Sequence, residues 1–142
     1  MKLRYGDGNE CYLTPTQAIS GTTPVVSAVL GMWDFDSVGL QLITSGTITG
    51  TWLIEASNDF TPQTNGSGYG QASSDTPAGT WSDVTALFLK AAAGTAIANP
   101  AGSATNQYCQ PRDFIRCRAL RVTLTPASGS GNVTVLCNAG SF

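Results

Sequence analysis

The sequence predicts an all-β fold, an antiparallel β-sandwich or jelly roll of about eight short strands with two long loops. Three observations carry this. Short stretches in which apolar and polar residues alternate recur along the chain, with Gly-, Pro- and Ser-rich breaks between them. No stretch sustains a helical period without interruption. Charged residues make up only 11% of the chain, and Thr, Ser, Gly, Asn and Gln stand where a soluble protein usually carries charge. Strands at fairly regular spacing without helices favour an antiparallel architecture over a parallel one, and the lack of a fixed repeat argues against a propeller or solenoid.

Residues 1–21 are polar, contain Pro15 and keep no period, so they read as an N-terminal arm or a short edge strand. Residues 22–142 then form one jelly-roll domain. Thr22 to Leu30 is a strand candidate whose Pro24 belongs near its start or on an edge. Gly31 to Ser37 is a connection that carries Trp33 and Phe35. Val38 to Thr44 alternates Leu40 and Leu42 against Gln41 and Ile43. Gly46 and Gly50 frame a short link into the next strand, a spacing that suits an antiparallel hairpin. That strand is the spine of the prediction: Trp52, Ile54 and Ala56 share one face, with Thr51, Leu53 and Glu55 on the other, and Ser57-Asn58-Asp59 makes the exit turn.

Residues 58–79 lose all periodicity and form the first long loop, with Phe60 and Tyr69 as its aromatics. Thr80 to Val84 reads as a short strand or bulge, and Thr85 to Lys90 as strand or one helical turn. Residues 91–105 form the second structureless stretch, where Gly94 and Asn99-Pro100 interrupt the alanines. Asn106 to Gln110 reads as a short strand. Leu120 to Thr125 and Asn132 to Asn138 are the clearest late strands, joined by a hairpin loop over Pro126 to Gly131. Arg118 and Ala119 break the parity between Phe114 and Leu120, so a bulge is expected there.

Nine acids face seven bases and there is no histidine, giving a net charge of −2. A basic stripe for nucleic acid is absent from this balance. No run is long and apolar enough to span a bilayer as a helix. The opening residues lack the apolar core of a secretory signal, so synthesis is expected in the cytoplasm of a host cell. Cysteines at 11, 109, 117 and 137 match no zinc-site spacing, and Cys137 shares parity with Val133 and Val135. They are expected as free, mostly buried thiols, with a Cys109–Cys117 bridge as the oxidised alternative.

The segments Gly50-Thr51-Trp52-Leu53-Ile54-Glu55-Ala56-Ser57-Asn58-Asp59, Gly79-Thr80-Trp81-Ser82-Asp83-Val84 and Arg118-Ala119-Leu120-Arg121-Val122-Thr123-Leu124-Thr125 come in an order that resembles the small jelly-roll domains of tailed-phage structural proteins, capsid cement (decoration) proteins among them. The resemblance spans about Gly46 to Val135, and its motifs specify strand packing. It implies a structural virion protein on the capsid surface, bound between major capsid protein subunits and assembled as a homo-oligomer around a symmetry axis. The same order of features also resembles discoidin-type carbohydrate-binding jelly rolls, without their terminal cysteine bracket. This implies the alternative of a receptor- or carbohydrate-binding tail module that stacks sugars on Trp81, Tyr69 or Phe60.

No enzyme is expected. Nucleophilic catalysis of the usual kind needs a histidine base, and the acids are too scattered to predict a carboxylate pair. Asp34 and Asp36 alternate on one extended segment, but two side chains fall short of a calcium shell, so they read as solvated loop acids. No cofactor or metal is predicted. The most uneven feature is Arg112, Arg116, Arg118 and Arg121, four of the seven bases within ten residues. They read either as edge-strand protection with local pairs such as Asp113, or as a contact surface for an acidic partner. With Phe60 and Tyr69 they form the candidate partner interface.

Overall fold

The computed structural model describes residues 12–32, 35–60, 79–89, 97–99, 105–111 and 115–140. These residues form β1 (Tyr12–Ser20), β2 (Val25–Val26), β3 (Leu30–Gly31), β4 (Ser37–Thr44), β5 (Thr49–Ser57), β6 (Ser82–Asp83), a 3-10 turn (Thr85–Leu87), β7 (Phe88–Leu89), β8 (Ile97–Asn99), β9 (Thr105–Pro111), β10 (Ala119–Ser128) and β11 (Ser130–Gly140). Two antiparallel sheets pack face to face, as an all-β sandwich requires. One has five strands in the order β1-β11-β4-β9-β7. The other has six, running β2-β10-β5-β6, with β3 also on β10 and β8 also on β5.

The alternation read from the sequence is the alternation of burial. Val38, Leu40 and Leu42 of β4, Trp52 and Ile54 of β5, Leu120, Val122 and Leu124 of β10, and Val133, Val135 and Cys137 of β11 meet in one core. Each is apolar at every second position, and the pleat sends those positions to the same side. Burying this set from both sheets is the main force holding the sandwich closed.

Both predicted hairpins are something else. β4 and β5 belong to different sheets, and so do β10 and β11. Residues 45–48 and the turn at Gly129 are arches that carry the chain from one sheet to the other. The arches lie against each other. The Ser45 and Thr47 amides donate to the Asn132 and Ser130 carbonyls, each at 2.9 Å. The Asn132 and Ser130 amides donate back to Ser45 Oγ at 3.1 Å and Thr47 Oγ1 at 3.3 Å. Such close crossing requires glycine: Gly46 has φ +79° and Gly129 has φ +88°, and a Cβ on Gly131 would overlap the Ser45 carbonyl oxygen. A glycine between two strand patterns marks a reversal of the chain. Whether the next strand pairs with the last or crosses to the facing sheet is decided by distant partners.

Other expectations shift for similar reasons. Of the two forms expected for the first 21 residues, an arm or a short edge strand, residues 12–20 take the strand: they form the nine-residue β1 at the sheet edge, paired to β11. Register shifts between Tyr12 and Thr14 and between Thr14 and Gln17 break its alternation, and Pro15 is tolerated at the edge. The 22–30 stretch divides into β2 and β3, whose registers on β10 differ by one residue. At that bulge Ser27 Oγ accepts from the Val122 amide at 2.8 Å, and the Ala28 amide turns to the Leu13 carbonyl of β1 at 3.0 Å. This stitches one sheet to the other. Predicted loop residues 126–128 continue β10, and β8 lies within the stretch expected to be structureless. Ala119 pairs with Ser57 in unbroken register, so the expected bulge is absent there; the shift on that ladder lies between Pro126 and Ser128. β10 has partners on both sides, so its Arg121 does not protect an edge.

Candidate functional site: the arginine end of the six-stranded sheet

Of the predicted interface residues, Arg112 and Tyr69 lie outside the described residues. The other four divide between two neighbouring settings. Arg121 points from the outer face of β10 onto β5, where its Nε donates to Glu55 Oε1 at 2.9 Å. The pair is shielded, with side chains 21% and 15% exposed. The guanidinium carbon also sits 4.3 Å from the centre of the Trp81 ring. Trp81 in turn packs on Phe60, ring centres 5.8 Å apart at 56°. Phe60, Val29 and Ala119 make a small second core beneath Trp81.

Phe60 is therefore buried, which corrects its reading as an exposed contact or sugar platform. In the sequence it sits among polar loop residues, and only the return of the chain at Trp81 covers it. Trp81 is half-buried between Phe60 and Arg121, which leaves it poorly placed to receive a sugar ring. Arg121 is committed within the fold: its charge is matched by Glu55 and its plane by the indole.

Arg116 and Arg118 behave differently. The segment 115–118 is held from both sides by backbone. The Ile115 amide donates to the Asp36 carbonyl at 2.9 Å, and the Met32 amide to the Arg118 carbonyl at 2.7 Å. The Arg118 amide is shared by the Ser57 carbonyl at 3.0 Å and Asn58 Oδ1 at 3.2 Å. Cys117 turns toward the core, so its two neighbours turn out. Both arginines are exposed, and among the described residues neither has an ion pair.

Beside them opens a cleft of about 570 Å³. Its apolar lining comes from Ala56, Val84, Leu87 and Ile115, and its polar lining from Asn58, Asp59, Thr80, Ser82 and Arg116 among others. Leu87 is 52% exposed at its mouth. The rim is braced by two carboxylates. Asp59 Oδ1 accepts from the Thr80 amide at 2.7 Å and Ser57 Oγ at 2.8 Å. Asp83 Oδ1 accepts from Thr85 Oγ1 at 2.6 Å and the Thr85 amide at 2.9 Å, a local side-chain turn at the entry to the 3-10 turn. The Thr80 backbone bond holds the Asp59 carboxyl below its ordinary range, and the Thr85 hydroxyl does the same for Asp83.

Cys109 and Cys137 are buried free thiols and Cys117 is a half-buried one; Cys11 lies outside the described residues. Burial pushes the Cys109 thiol up to about 12 and the Cys117 thiol up to about 11, so neither is poised as a nucleophile near neutral pH. Asp34 also lies outside the described residues, and among those described no group of three or more His, Cys, Asp or Glu side chains stands close enough to hold a metal. Arg116 thus stands at a cleft with a partly apolar lining, and Arg118 is exposed two residues on, neither in an ion pair among the described residues.

Comparison of the chain with protein-family models, with curated proteins and with solved structures finds no match.

Proposed function

We propose that this protein is a structural virion component that binds between major capsid protein subunits and stabilises the phage head. The observation that carries the reading is Arg116, exposed at a cleft with a partly apolar lining, with Arg118 exposed two residues on and neither in an ion pair among the described residues. Such a surface fits an acidic segment with apolar side chains, supplied by a neighbouring shell subunit. The strand order supports the jelly-roll form of the sandwich. If β2 with β3, and β6 with β8, each count as one broken strand, and the two-residue β7 that lies between β6 and β8 in the chain is set aside as an addition at the far edge of the other sheet, the sheets hold the first, eighth, third and sixth strands and the second, seventh, fourth and fifth. A low-charge sandwich also meets a partner with little desolvation of charge.

The test is co-sedimentation with empty capsids of the phage that encodes the chain. Wild-type protein should pellet with the shells, and Arg116→Glu with Arg118→Glu should weaken binding about tenfold or more by reversing two exposed charges. Failure of wild-type protein to sediment with shells at low and physiological salt would sink the reading.

A further inference from the structure

The outer face of the five-stranded sheet lies apart from the Arg116 cleft and is uncharged. Its strands β1, β4, β7, β9 and β11 contain no Asp, Glu, Lys or Arg. Among the described residues its one exposed large hydrophobic side chain is Tyr108 of β9, at 59%.

Tyr108 is held in an unusual pose. Its cross-strand partner is Gln41, and Gly39 lies diagonally beyond. A Cβ on Gly39 would stand 2.6 Å from the tyrosine hydroxyl oxygen and 3.2 Å from Cε2 and Cζ. The missing side chain at Gly39 is thus what lets the ring lie down across β4, one face against the sheet and the other toward water. The hydroxyl donates to Gln110 Oε1 at 3.3 Å, which fixes the far end of the ring.

Beside the ring, Gln41 Nε2 donates to Asn106 Oδ1 at 2.8 Å. That bond orients both amides and, among the described residues, leaves Gln41 Oε1 as a free acceptor and Asn106 Nδ2 as a free donor. A sugar hydroxyl both donates and accepts, and the C–H face of a pyranose is an apolar plate of about the area of a phenol ring. The geometry points to a shallow binding site for a neutral carbohydrate chain, centred on Tyr108 and flanked by Gln41, Asn106 and Gln110. Anionic ligands find no counter-charge on these strands. A protein partner would strip water from the amides without replacing each bond, whereas a polyol replaces them group for group.

The experiment is affinity electrophoresis of the full chain in gels containing dextran, laminarin or galactomannan. At least one should retard the wild-type protein. Tyr108→Ala should weaken that retardation about tenfold, through loss of the stacking plate. Tyr108→Phe should stay within about twofold, because the ring remains. Arg116→Glu should leave it unchanged, which separates this site from capsid attachment. Retardation by none of the three polysaccharides, or retardation that survives Tyr108→Ala, overturns the proposal. So does a concentration-dependent dimer in gel filtration that Tyr108→Phe keeps and Tyr108→Ala abolishes, since the ring would then serve a second copy.

Discussion

β4 and β5 are neighbours in the chain and nearly equal in length, at eight and nine residues, yet they treat their outer faces in opposite ways. β4 shows water Ser37, Gly39, Gln41 and Ile43, with no charge, and its diagonal neighbour Tyr108 lies over the glycine. β5 shows Thr51, Leu53 and Glu55, and Glu55 is locked to Arg121 beneath Trp81. Their inner faces are interchangeable in kind: Leu40 and Leu42 on one, Trp52 and Ile54 on the other. Exclusion of water dictates the inner faces, so they converge. What covers each sheet dictates the outer faces, so they diverge.

The comparison can be tested from the inside out. Leu40→Ala in the five-stranded sheet and Ile54→Ala in the six-stranded sheet should each cost about 2–5 kcal/mol by urea denaturation. Both side chains are fully buried in the same cluster, so a large difference between the two would show that the sheets do not share one core. On the outside the sheets should part. Arg121→Ala removes a shielded ion pair and a cation–π contact and should cost about 1–2 kcal/mol, while Gln41→Ala should stay within about 0.5 kcal/mol. Equal effects would erase the distinction between a braced face and a free one.

The smallest effect is in acid. Asp59 and Asp83 are held below the ordinary value of 3.8, so they contribute stability above that value and lose it as pH falls through their lower folded values. Hydrogen-exchange protection at the Thr80 and Thr85 amides should therefore drop as the pH is taken below 3.8, while protection in β4 and β11 holds. Simultaneous loss in both sheets would mean that these carboxylates brace the whole sandwich and not one end of it.

How much of this was legible beforehand depends on the range of the signal. Period-two burial is local, so β4, β5, β10 and β11 could be read from Leu40, Ile54, Val122 and Val135 alone. The two arches could not, because the bonds that hold Ser45 and Thr47 come from Ser130 and Asn132. Phe60 was misplaced for the same reason: its cover arrives with Trp81, after a stretch without pattern. The Arg cluster was visible as composition, but only the fold shows that Arg121 is spent on Glu55 and that Arg116 and Arg118 are not. Tyr108 was missed although a cue existed. Asn106, Tyr108 and Gln110 alternate with Gln107 and Cys109, which puts one aromatic between two amides on one face of β9. The glycine it covers, on another strand, carried no local mark.

The crossed arches also set the tempo at which the molecule assembles. Thr47 and Ser130 stand 83 residues apart in the chain, and Ser45 and Asn132 stand 87 apart. More than half of the polypeptide must be gathered into a loop before either clasp can close, and little is gained until it does. A protein fastened this way belongs with slow folders, on the order of milliseconds to seconds. Its C-terminal strand, which slides between β1 and β4, is the piece whose arrival completes the five-stranded sheet. Until then both neighbours lack a partner on their facing edges, and the nascent chain is at its most vulnerable to pairing with another copy of itself.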